Sequence, residues 1–265
     1  MQRFGKIKGL NEEVLAIIDR CYCQTDLVAL YDLVNSAGPD WEYYPALAST
    51  RSGADGSVLD TGCGTGALTV EVARLCAAVA GLDPAEVMLA VARARIGAQK
   101  VQWQQGALQN FQSERRFELI YMTGHAFQCL LHDADIRLAF RAVAAVLAPG
   151  GQFVFETRNP ACAPWQNWVP ERSEIALVAP DGVSVRLWHQ LVERQGDYVT
   201  FDQYHAFEGC AAPVVSRNCL RFSTVDQIET LATAAGLWVD RVVGGWQGGA
   251  FTGTEPEIIA HLQVV

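Results

Sequence analysis

The stretch from Val58 to Gly66, V-L-D-T-G-C-G-T-G, constrains the fold of this chain more than any other segment. Two apolar residues lead into Asp60, and three glycines then alternate with other residues before helical spacing begins at Ala67. Glycines lack a Cβ atom, so they allow a tight turn and a close approach of the backbone to a ligand. The segment therefore predicts a buried strand, a glycine turn and a helix whose free N–H groups face a nucleotide-type cofactor.

Two cofactors fit this turn. Residues 62–67 satisfy the dinucleotide pattern G-x-G-x-x-G/A, and Asp83 follows about 20 residues later, as that pattern requires. Asp60 and Gly66 extend the pattern to D-x-G-x-G-x-G, which resembles motif I of the class I S-adenosylmethionine (SAM) dependent methyltransferases. In that family the acid and the turn hold the methionine end of SAM. A carboxylate at this point attracts an ammonium group and repels a pyrophosphate, which favours SAM over NAD.

The composition bounds the size and the partners of the protein. With 265 residues, of which 50% are hydrophobic and 18% charged, the chain can form one large α/β domain with an insertion. A formal charge of −9 and only three lysines provide no basic stripe, so nucleic-acid partners are not expected. The amino terminus lacks the apolar core of a signal peptide, and no apolar run approaches the roughly 20 residues of a membrane span. We expect a cytoplasmic monomer or homodimer with a small-molecule substrate.

The eight cysteines form no C-x-x-C pair. In a reducing compartment such cysteines serve as small core residues, so we expect them to be buried. No metal site is predicted from them.

Strands and helices alternate along the middle of the chain. Strands are predicted near 57–60, 78–83, 100–105, 117–122 and 152–158, and helices near 66–76, 84–95 and 134–147. This order predicts βαβ units and a parallel sheet with helices on both faces. After Pro160 the period changes to two, and an antiparallel meander is predicted at 183–194, 197–207 and 214–222. A helix at 224–235 and strands at 237–243 and 257–264 complete the prediction.

These patterns divide the chain into three predicted parts. An N-terminal helical lid spans 1–50, with Val14, Ile17 and Ile18 on one helical face, and an antiparallel substrate cap spans 159–222. The SAM-binding core consists of 51–158 and 223–265. The resemblance implies a Rossmann-like sheet of seven strands, mostly parallel, with helices on both faces, and with the cap inserted after the fifth strand.

The resemblance also implies a set of cofactor contacts. Asp83 ends the second strand, where the family uses an acid to accept the ribose hydroxyls; alternatively it only caps the next helix. Ala107 stands where relatives have an acid for the adenine amino group, so adenine recognition falls to backbone groups or to Gln109. Tyr31 and Met88 either contact SAM or belong to the core. The expected set is Tyr31, Asp60, Gly62, Cys63, Gly64, Gly66, Asp83, Pro84, Met88, Ala107, Leu108, Met122 and Phe127.

The segment Y-M-T-G-H-A-F-Q, residues 121–128, follows the fourth strand. It resembles the M-T-G-x-x-x-Q segment of a bacterial subgroup of small-molecule methyltransferases, in which this loop lies beside the sulfonium. His125 in this loop is the candidate general base, because an unperturbed pKa near 6.5 suits proton removal at neutral pH. The alternative is that His125 only lines the pocket.

Several residues after the fifth strand are expected to contact the substrate. Arg158 holds an acidic substrate or anchors the cap by an ion pair, and Tyr204 alternatively pairs with Trp188 across two cap strands. His189 and His205, on the cap strands, are further candidates for substrate contact, whereas His132 and His261 are expected at the surface. The predicted substrate contacts are Arg158, Trp165, Trp168, His189, Tyr204 and Trp246.

The function implied by the resemblance is SAM-dependent methyl transfer to an oxygen or nitrogen of a small metabolite. The aromatic residues of the cap favour an aromatic or heterocyclic substrate. Such chemistry requires mainly alignment of the acceptor and exclusion of water, so no fixed catalytic set is demanded. One alternative is an NAD(P)-dependent oxidoreductase, which is disfavoured because the three lysines leave no Tyr-x-x-x-Lys pair. The other is a SAM-binding protein without catalysis.

Overall fold

A computed structural model describes residues 18–52 and 56–265 of the chain. Its main sheet has seven strands in the order β10-β11-β5-β4-β1-β2-β3. β11 runs antiparallel to both β5 and β10, and the neighbouring pairs from β5 to β3 are parallel. These strands are β1 Ser57–Thr61, β2 Ala78–Asp83, β3 Val101–Gln105, β4 Phe117–Met122, β5 Leu147–Arg158, β10 Leu237–Val243 and β11 Glu257–Val264. The predicted seven-stranded, mostly parallel sheet is confirmed.

Helices cover both faces of this sheet. Val58 and Leu59 are neighbours on β1, so their side chains point to opposite faces, and each joins a different apolar core. The core of Leu59 includes Phe140 and Ile228, and the core of Val58 includes Tyr44. The helices are α1 Arg20–Cys23, α2 Thr25–Val28, α3 Tyr31–Val34, α4 Asp40–Ser52, α5 Ala67–Val72, α6 Glu86–Ala94, α7 Asp133–Val146, α8 Pro170–Ser173 and α9 Val225–Thr233.

The cap is a separate four-stranded antiparallel sheet in the order β6-β7-β8-β9. Its strands are β6 Ile175–Val178, β7 Ser184–Gln195, β8 Tyr198–Phe207 and β9 Val214–Arg221. The three predicted cap strands are present. β6 and the short helix α8 were missed, because each has four residues and β6 is largely exposed, without the alternation of apolar and polar residues that predicts a strand.

Several boundaries differ from the prediction. β5 begins at Leu147 rather than near 152, because residues 147–151 continue the extended backbone as a strand, and Leu147 pairs with Phe117 of β4. In the predicted lid, the helix face formed with Val14 and Ile17 lies outside the described residues. α4, in contrast, packs its buried Tyr44 and Ala48 against the sheet. The division of the chain into lid, core and cap remains a prediction.

Most of the cysteines lie outside the core, contrary to the expectation. Cys76 is buried, Cys21, Cys63 and Cys219 are partly buried, and the other four are exposed. They lie mainly in short helices, turns and loops, where the apolar sequence context does not produce burial. Within residues 18–52 and 56–265, no helix combines the length and apolar character that would carry it across a bilayer.

His261 was expected at the surface, and this expectation is wrong. The residue lies on β11 between β5 and β10, and α4 covers that face of the sheet, so the side chain is fully buried. Its Nε2 lies 2.7 Å from the Tyr43 hydroxyl, and its Nδ1 lies 3.4 Å from Gln152 Oε1. A strand pattern at the end of a chain does not reveal that helices will cover it.

We predict that buried His261 makes the fold sensitive to acid. Burial, with smaller contributions from Arg241 and Arg51, lowers the pKa of His261 to about 3. The unfolded chain therefore binds a proton below about pH 6.5 that the folded protein rejects, so stability falls as pH falls from 6.5 toward 3. The expected loss between pH 7 and pH 5 is about 2 kcal/mol in the free energy of unfolding.

Urea unfolding of the parent and of His261→Gln at the two pH values measures this contribution. Other groups shift stability in both directions, so the difference between the two proteins is the relevant quantity. The variant should lose about 2 kcal/mol less than the parent on acidification. An equal loss in both proteins contradicts the assignment.

Candidate active site

The glycine turn lies at the carboxyl end of β1, as predicted. Gly62, Gly64 and Gly66 have positive φ angles of 70°, 54° and 71°, which a residue with a Cβ atom adopts only with strain. A Cβ atom on Gly66 would overlap the Trp103 ring and lie 2.8 Å from the Cβ of Ala92. A Cβ atom on Gly64 would meet only Tyr31, at 3.8 Å. Gly66 is thus required for packing, whereas Gly64 leaves its backbone open to a ligand.

Asp60 forms the buried floor of the turn. Its Oδ2 accepts hydrogen bonds from Thr69 Oγ1 at 2.6 Å and from the Tyr121 hydroxyl at 3.0 Å. Its Oδ1 is buried and has no hydrogen-bond partner among the described residues. Burial raises the pKa of Asp60 to about 7. An unpaired buried carboxylate oxygen fits a cationic N–H donor such as the ammonium group of SAM.

Asp83 ends β2 beside the turn and is nearly buried. Its Oδ2 accepts the Gly64 N–H and its Oδ1 accepts the Ala85 N–H, each at 2.8 Å, so it does support the start of α6. Burial raises the pKa of Asp83 to about 6. Each carboxylate oxygen retains a second lone pair, which can accept a hydroxyl proton. Asp83 thus holds the N-cap residue Ala85 and does not cap α6 itself, and this contact is compatible with the predicted ribose contact.

A small cavity of about 150 Å³ lies at the end of β3, in the expected direction of the adenine ring. Ala107 lines it, whereas Leu108 packs into the core and Gln109 is not among its lining residues. Gln104 does line the cavity, and its side-chain Nε2 is buried without a hydrogen-bond partner in the described part of the chain. A free amide donor fits a ring nitrogen of adenine. Sequence reasoning missed Gln104 because alternation alone does not say which face of an edge strand meets the ligand.

The N-terminal helices cover the turn. Tyr31 lies over Gly64 and packs edge-on against Tyr22, with their ring centroids 6.3 Å apart. Asp32 accepts a hydrogen bond from Thr65 Oγ1 at 2.6 Å and forms an ion pair with Arg95. These contacts fasten α3 to the turn. Tyr31 therefore lies over the glycine turn, and its contact with SAM stays a prediction.

Met88 is fully buried beneath these helices, in a cluster with Val28 and Ala85. Met122 and Phe127 are core residues, and the Phe127 ring stacks on Phe155 at 4.1 Å. Their positions near the strand ends are therefore explained by packing. Cys63 and Pro84 are partly buried beside the turn and β2.

His125 lies in the loop after β4 with φ of 59°, in the left-handed region. Its backbone N–H donates to Glu156 Oε1 at 2.9 Å, and its Nε2 lies 3.0 Å from Glu257 Oε2. Glu257 on β11 is opposite Arg158 on β5. Neither glutamate was predicted, because they meet His125 only through the pairing of strands far apart in sequence.

A cavity of about 320 Å³ lies between the lid helices, the His125 loop and the inner face of the cap sheet. Five of the predicted residues line it, namely Tyr31, His125, Arg158, Trp168 and His189. His205, a further candidate for substrate contact, also lines it, as do Gln203 and Asn218, which were not predicted. Burial lowers the pKa of His189 and lowers that of His205 to about 4, so both imidazoles are neutral at pH 7.

Arg158 is the guanidinium in the wall of this cavity. Its Nη1 donates to Gln128 Oε1 at 2.8 Å, and the group lies 5.8 Å from the Trp168 ring centroid. Burial lowers the pKa of Arg158, while the neighbouring Glu257 and Glu156 act in the opposite direction. It therefore links the core to the cap, and it remains in reach of a bound molecule.

Three other predicted substrate residues lie elsewhere. Tyr204 stacks on Trp188 with centroids 5.1 Å apart, on the outer face of the cap sheet. Trp246 packs against Tyr43 beside α4, because the loop after β10 folds over that helix. Trp165 is buried against Phe222 in the cap core. None of the three is among the residues that line the cavity.

Comparisons with known proteins agree with this geometry. A family model described as a methyltransferase domain matches residues 58–151. The chain is 28% identical over 242 residues to the dTDP-3-amino-3,6-dideoxy-alpha-D-glucopyranose N,N-dimethyltransferase of Streptomyces fradiae, which covers 86% of this chain and 90% of that protein. It is 24% identical to the cypemycin N-terminal methyltransferase of a Streptomyces species, over 91% of this chain and 97% of that protein.

Solved structures show the same fold. The CcbJ methyltransferase from Streptomyces caelestis aligns with a TM-score of 0.75 at 18% identity, over 92% of this chain and 99% of that chain. CalS10, an amino pentose methyltransferase from Micromonospora echinaspora solved with SAM bound, aligns with a TM-score of 0.65 at 24% identity, over 86% of this chain and 93% of that chain.

Proposed function

We propose, from the premise that this chain belongs to the class I SAM-dependent methyltransferases, that it methylates an amine nitrogen of a small hydroxyl-bearing metabolite. His125 is the general base of this proposal. The observation that carries it is the His125–Glu257 pair, with Nε2 and Oε2 3.0 Å apart, of which His125 lines the cavity between core and cap.

SAM, when bound, would supply an activated methyl group to the lone pair of the acceptor, with S-adenosylhomocysteine as the leaving group. Asp60 and the glycine turn would hold the methionine end of SAM, and Asp83 would hold the ribose. The cavity at the end of β3, which Gln104 lines, would hold the adenine. Asp60 presents the unpaired Oδ1 and Gln104 the unpaired Nε2 that such a ligand satisfies. The lid residue Tyr31 covers the turn and excludes water from it.

His125 has a specific task in amine methylation. An alkyl amine has a pKa near 10 and is protonated at neutral pH, so it must lose a proton before its lone pair can attack. The imidazole of His125 lies in the cavity wall, where it can take up that proton as a general base. Glu257 receives a hydrogen bond from the ring and stabilises the imidazolium that forms. The core thus supplies both the cofactor site and the proton acceptor.

The cap supplies the opposite wall. His189, Gln203, His205 and Asn218 lie on one face of β7, β8 and β9 and offer hydrogen-bond donors and acceptors without charge at pH 7. His205 Nδ1 is buried and unpaired among the described residues. A hydroxyl group both donates and accepts, so it satisfies either tautomer of a neutral imidazole. Trp168 adds an apolar surface.

The named relatives support an amine acceptor. The Streptomyces fradiae protein is named for the dimethylation of an amino sugar nucleotide, and the cypemycin enzyme for methylation of a peptide amino terminus. Both modify nitrogen, although their acceptors differ in size and class. The shared requirement is a free amine beside the methyl donor.

A labelling experiment tests the proposal. The purified protein is incubated with SAM carrying ¹³C in its methyl group and with a metabolite extract of the native host. We expect a ¹³C signal in the N-methyl region of the carbon spectrum, absent with His125→Ala. Label found only in O-methyl groups contradicts the amine acceptor. Undiminished labelling with His125→Ala contradicts the role of His125 as the general base.

A further inference from the structure

Glu156 lies directly beneath the His125 loop and is almost completely buried. Its Oε1 accepts the His125 N–H at 2.9 Å and the Thr123 hydroxyl at 3.3 Å. Its Oε2 accepts a hydrogen bond from the Tyr44 hydroxyl of α4. Three donors thus converge on one buried carboxylate, two from the loop and one from the helix behind the sheet.

The loop needs such support because its backbone is unusual. Gly124 and His125 both have positive φ angles, 68° and 59°. Left-handed backbone at a non-glycine residue costs roughly 1–2 kcal/mol and persists only where the surroundings hold it. The hydrogen bond from the His125 N–H is a direct restraint on this conformation, and the same conformation sends the imidazole toward Glu257.

We propose that Glu156 is a positioning residue for His125, and that Tyr44 holds the Glu156 carboxylate in place. The proposal rests on the proposed role of His125. Glu156 acts through the backbone N–H, Glu257 through the ring, and the two restraints on opposite sides fix the imidazole in the cavity wall. None of the residues of α4 is among those that line the cavity, and this helix thereby gains a role in the site.

Tyr43 and Tyr44 provide a matched pair of variants on the same helix. The Tyr44 hydroxyl donates to Glu156, whereas the Tyr43 hydroxyl bonds His261 on the same face of the sheet. Tyr44→Phe and Tyr43→Phe each remove one hydroxyl from α4, but only the first disturbs the carboxylate beneath His125. A difference between them isolates positioning from a general loosening of the helix.

The decisive experiment reads His125 directly and needs no acceptor. The chain has five histidines, so ¹⁵N-histidine labelling gives five backbone amide signals, and the other four serve as internal controls. In the complex with S-adenosylhomocysteine, we expect Glu156→Leu to reduce the exchange protection of the His125 amide by about tenfold or more. Glu156→Gln keeps an acceptor oxygen for that N–H and should stay within about threefold of the parent.

The tyrosine pair applies the same measurement to α4. Tyr44→Phe should lower the protection of the His125 amide by about threefold or more, with Tyr43→Phe unchanged. Should Glu156→Leu fail to fold, the tyrosine pair decides the question alone. Unchanged His125 amide and ring signals in Glu156→Leu or in Tyr44→Phe overturn the proposal, as does an equal effect of the two tyrosine variants.

A double-mutant cycle on methyl transfer separates this proposal from the proposed function. With the amine identified by the labelling experiment, Glu156→Leu should lower kcat by about 10- to 100-fold at unchanged affinity for S-adenosylhomocysteine. In a His125→Ala background the same change should cost less than about threefold. An undiminished cost in that background overturns the positioning role. Full activity of His125→Ala alone refutes the role of His125 as general base. The amide measurement still decides whether Glu156 holds the backbone of His125.

Discussion

Asp60→Asn is expected to weaken SAM binding by at least about 100-fold, which corresponds to the 3–5 kcal/mol that removal of one partner from a buried ion pair costs. The Asp60 carboxylate is fully buried, and its Oδ1 has no partner among the described residues. The ammonium group of bound SAM would supply the missing partner of Oδ1. The folded protein should tolerate the variant, because a carboxyl with a pKa of about 7 is already partly protonated and asparagine resembles that form. Calorimetric titration with SAM and S-adenosylhomocysteine measures the loss.

The pH dependence of binding gives this prediction a second test. Because the pKa of Asp60 is raised to about 7, this carboxyl is protonated in the free protein at lower pH. SAM binding must then displace that proton, which weakens the observed affinity. Parent affinity should fall by about tenfold or more between about pH 7.5 and pH 5.5, and Asp83, with a pKa of about 6, adds to the fall at the acid end. Asp60→Asn should show a smaller fall.

Asp202→Asn is the matched control, since Asp202 forms its ion pair with Arg217 on the cap. It should bind SAM as the parent does. If Asp60→Asn also binds SAM at parental affinity, the carboxylate does not hold the ammonium group. The cofactor would then be oriented by the turn backbone alone.

The core fold could be predicted from the sequence because its signals are local. The glycine turn, the strand before it and the helix after it lie within about fifteen residues, and steric exclusion of Cβ atoms acts at each glycine separately. The alternation of strands and helices then leaves few arrangements, since parallel strands require crossover helices. The strand β11 was also predicted, but neither its pairing with β5 nor the residues that it brings to the site were.

The acidic residues around His125 could not be predicted, because their arrangement depends on tertiary pairing. β11 comes from the end of the chain and inserts between β10 and β5. It carries Glu257 to His125, 132 residues earlier in sequence. It also buries His261, which a pattern of alternating residues leaves indistinguishable from an exposed strand residue. Sequence spacing contains no information on such distant pairs.

The alternation of side chains along a cap strand does indicate which residues share a face of the sheet. Tyr204 and His205 are neighbours on one strand, so their side chains point to opposite faces and only one can reach the cavity. His205 lines the cavity, whereas Tyr204 stacks on Trp188 on the outer face of the cap sheet. To choose between Tyr204 and His205, one must know which face of the cap sheet meets the core. The orientation of the cap depends on β6 and the lid helices, which are too short to be predicted well from the sequence.

His125→Ala is expected to lower kcat by roughly 10²–10⁴-fold while the affinity for S-adenosylhomocysteine stays within about threefold of the parent. The imidazole lies in the cavity wall and contacts Glu257, whereas the described contacts of Asp60 and Asp83 do not involve it. The chemical step should therefore be lost without the cofactor site. Single-turnover methyl transfer to the identified amine, followed over a range of pH, measures the effect.

His132→Ala is the control, because His132 is exposed and is not among the residues that line the cavity. It should leave kcat unchanged. A residue that only lines the pocket removes no proton, and in that case His125→Ala would keep the parental kcat. Because the amine is itself protonated at neutral pH, the parent and both variants are compared at the same pH. Loss of cofactor affinity in place of turnover would assign His125 to the SAM site.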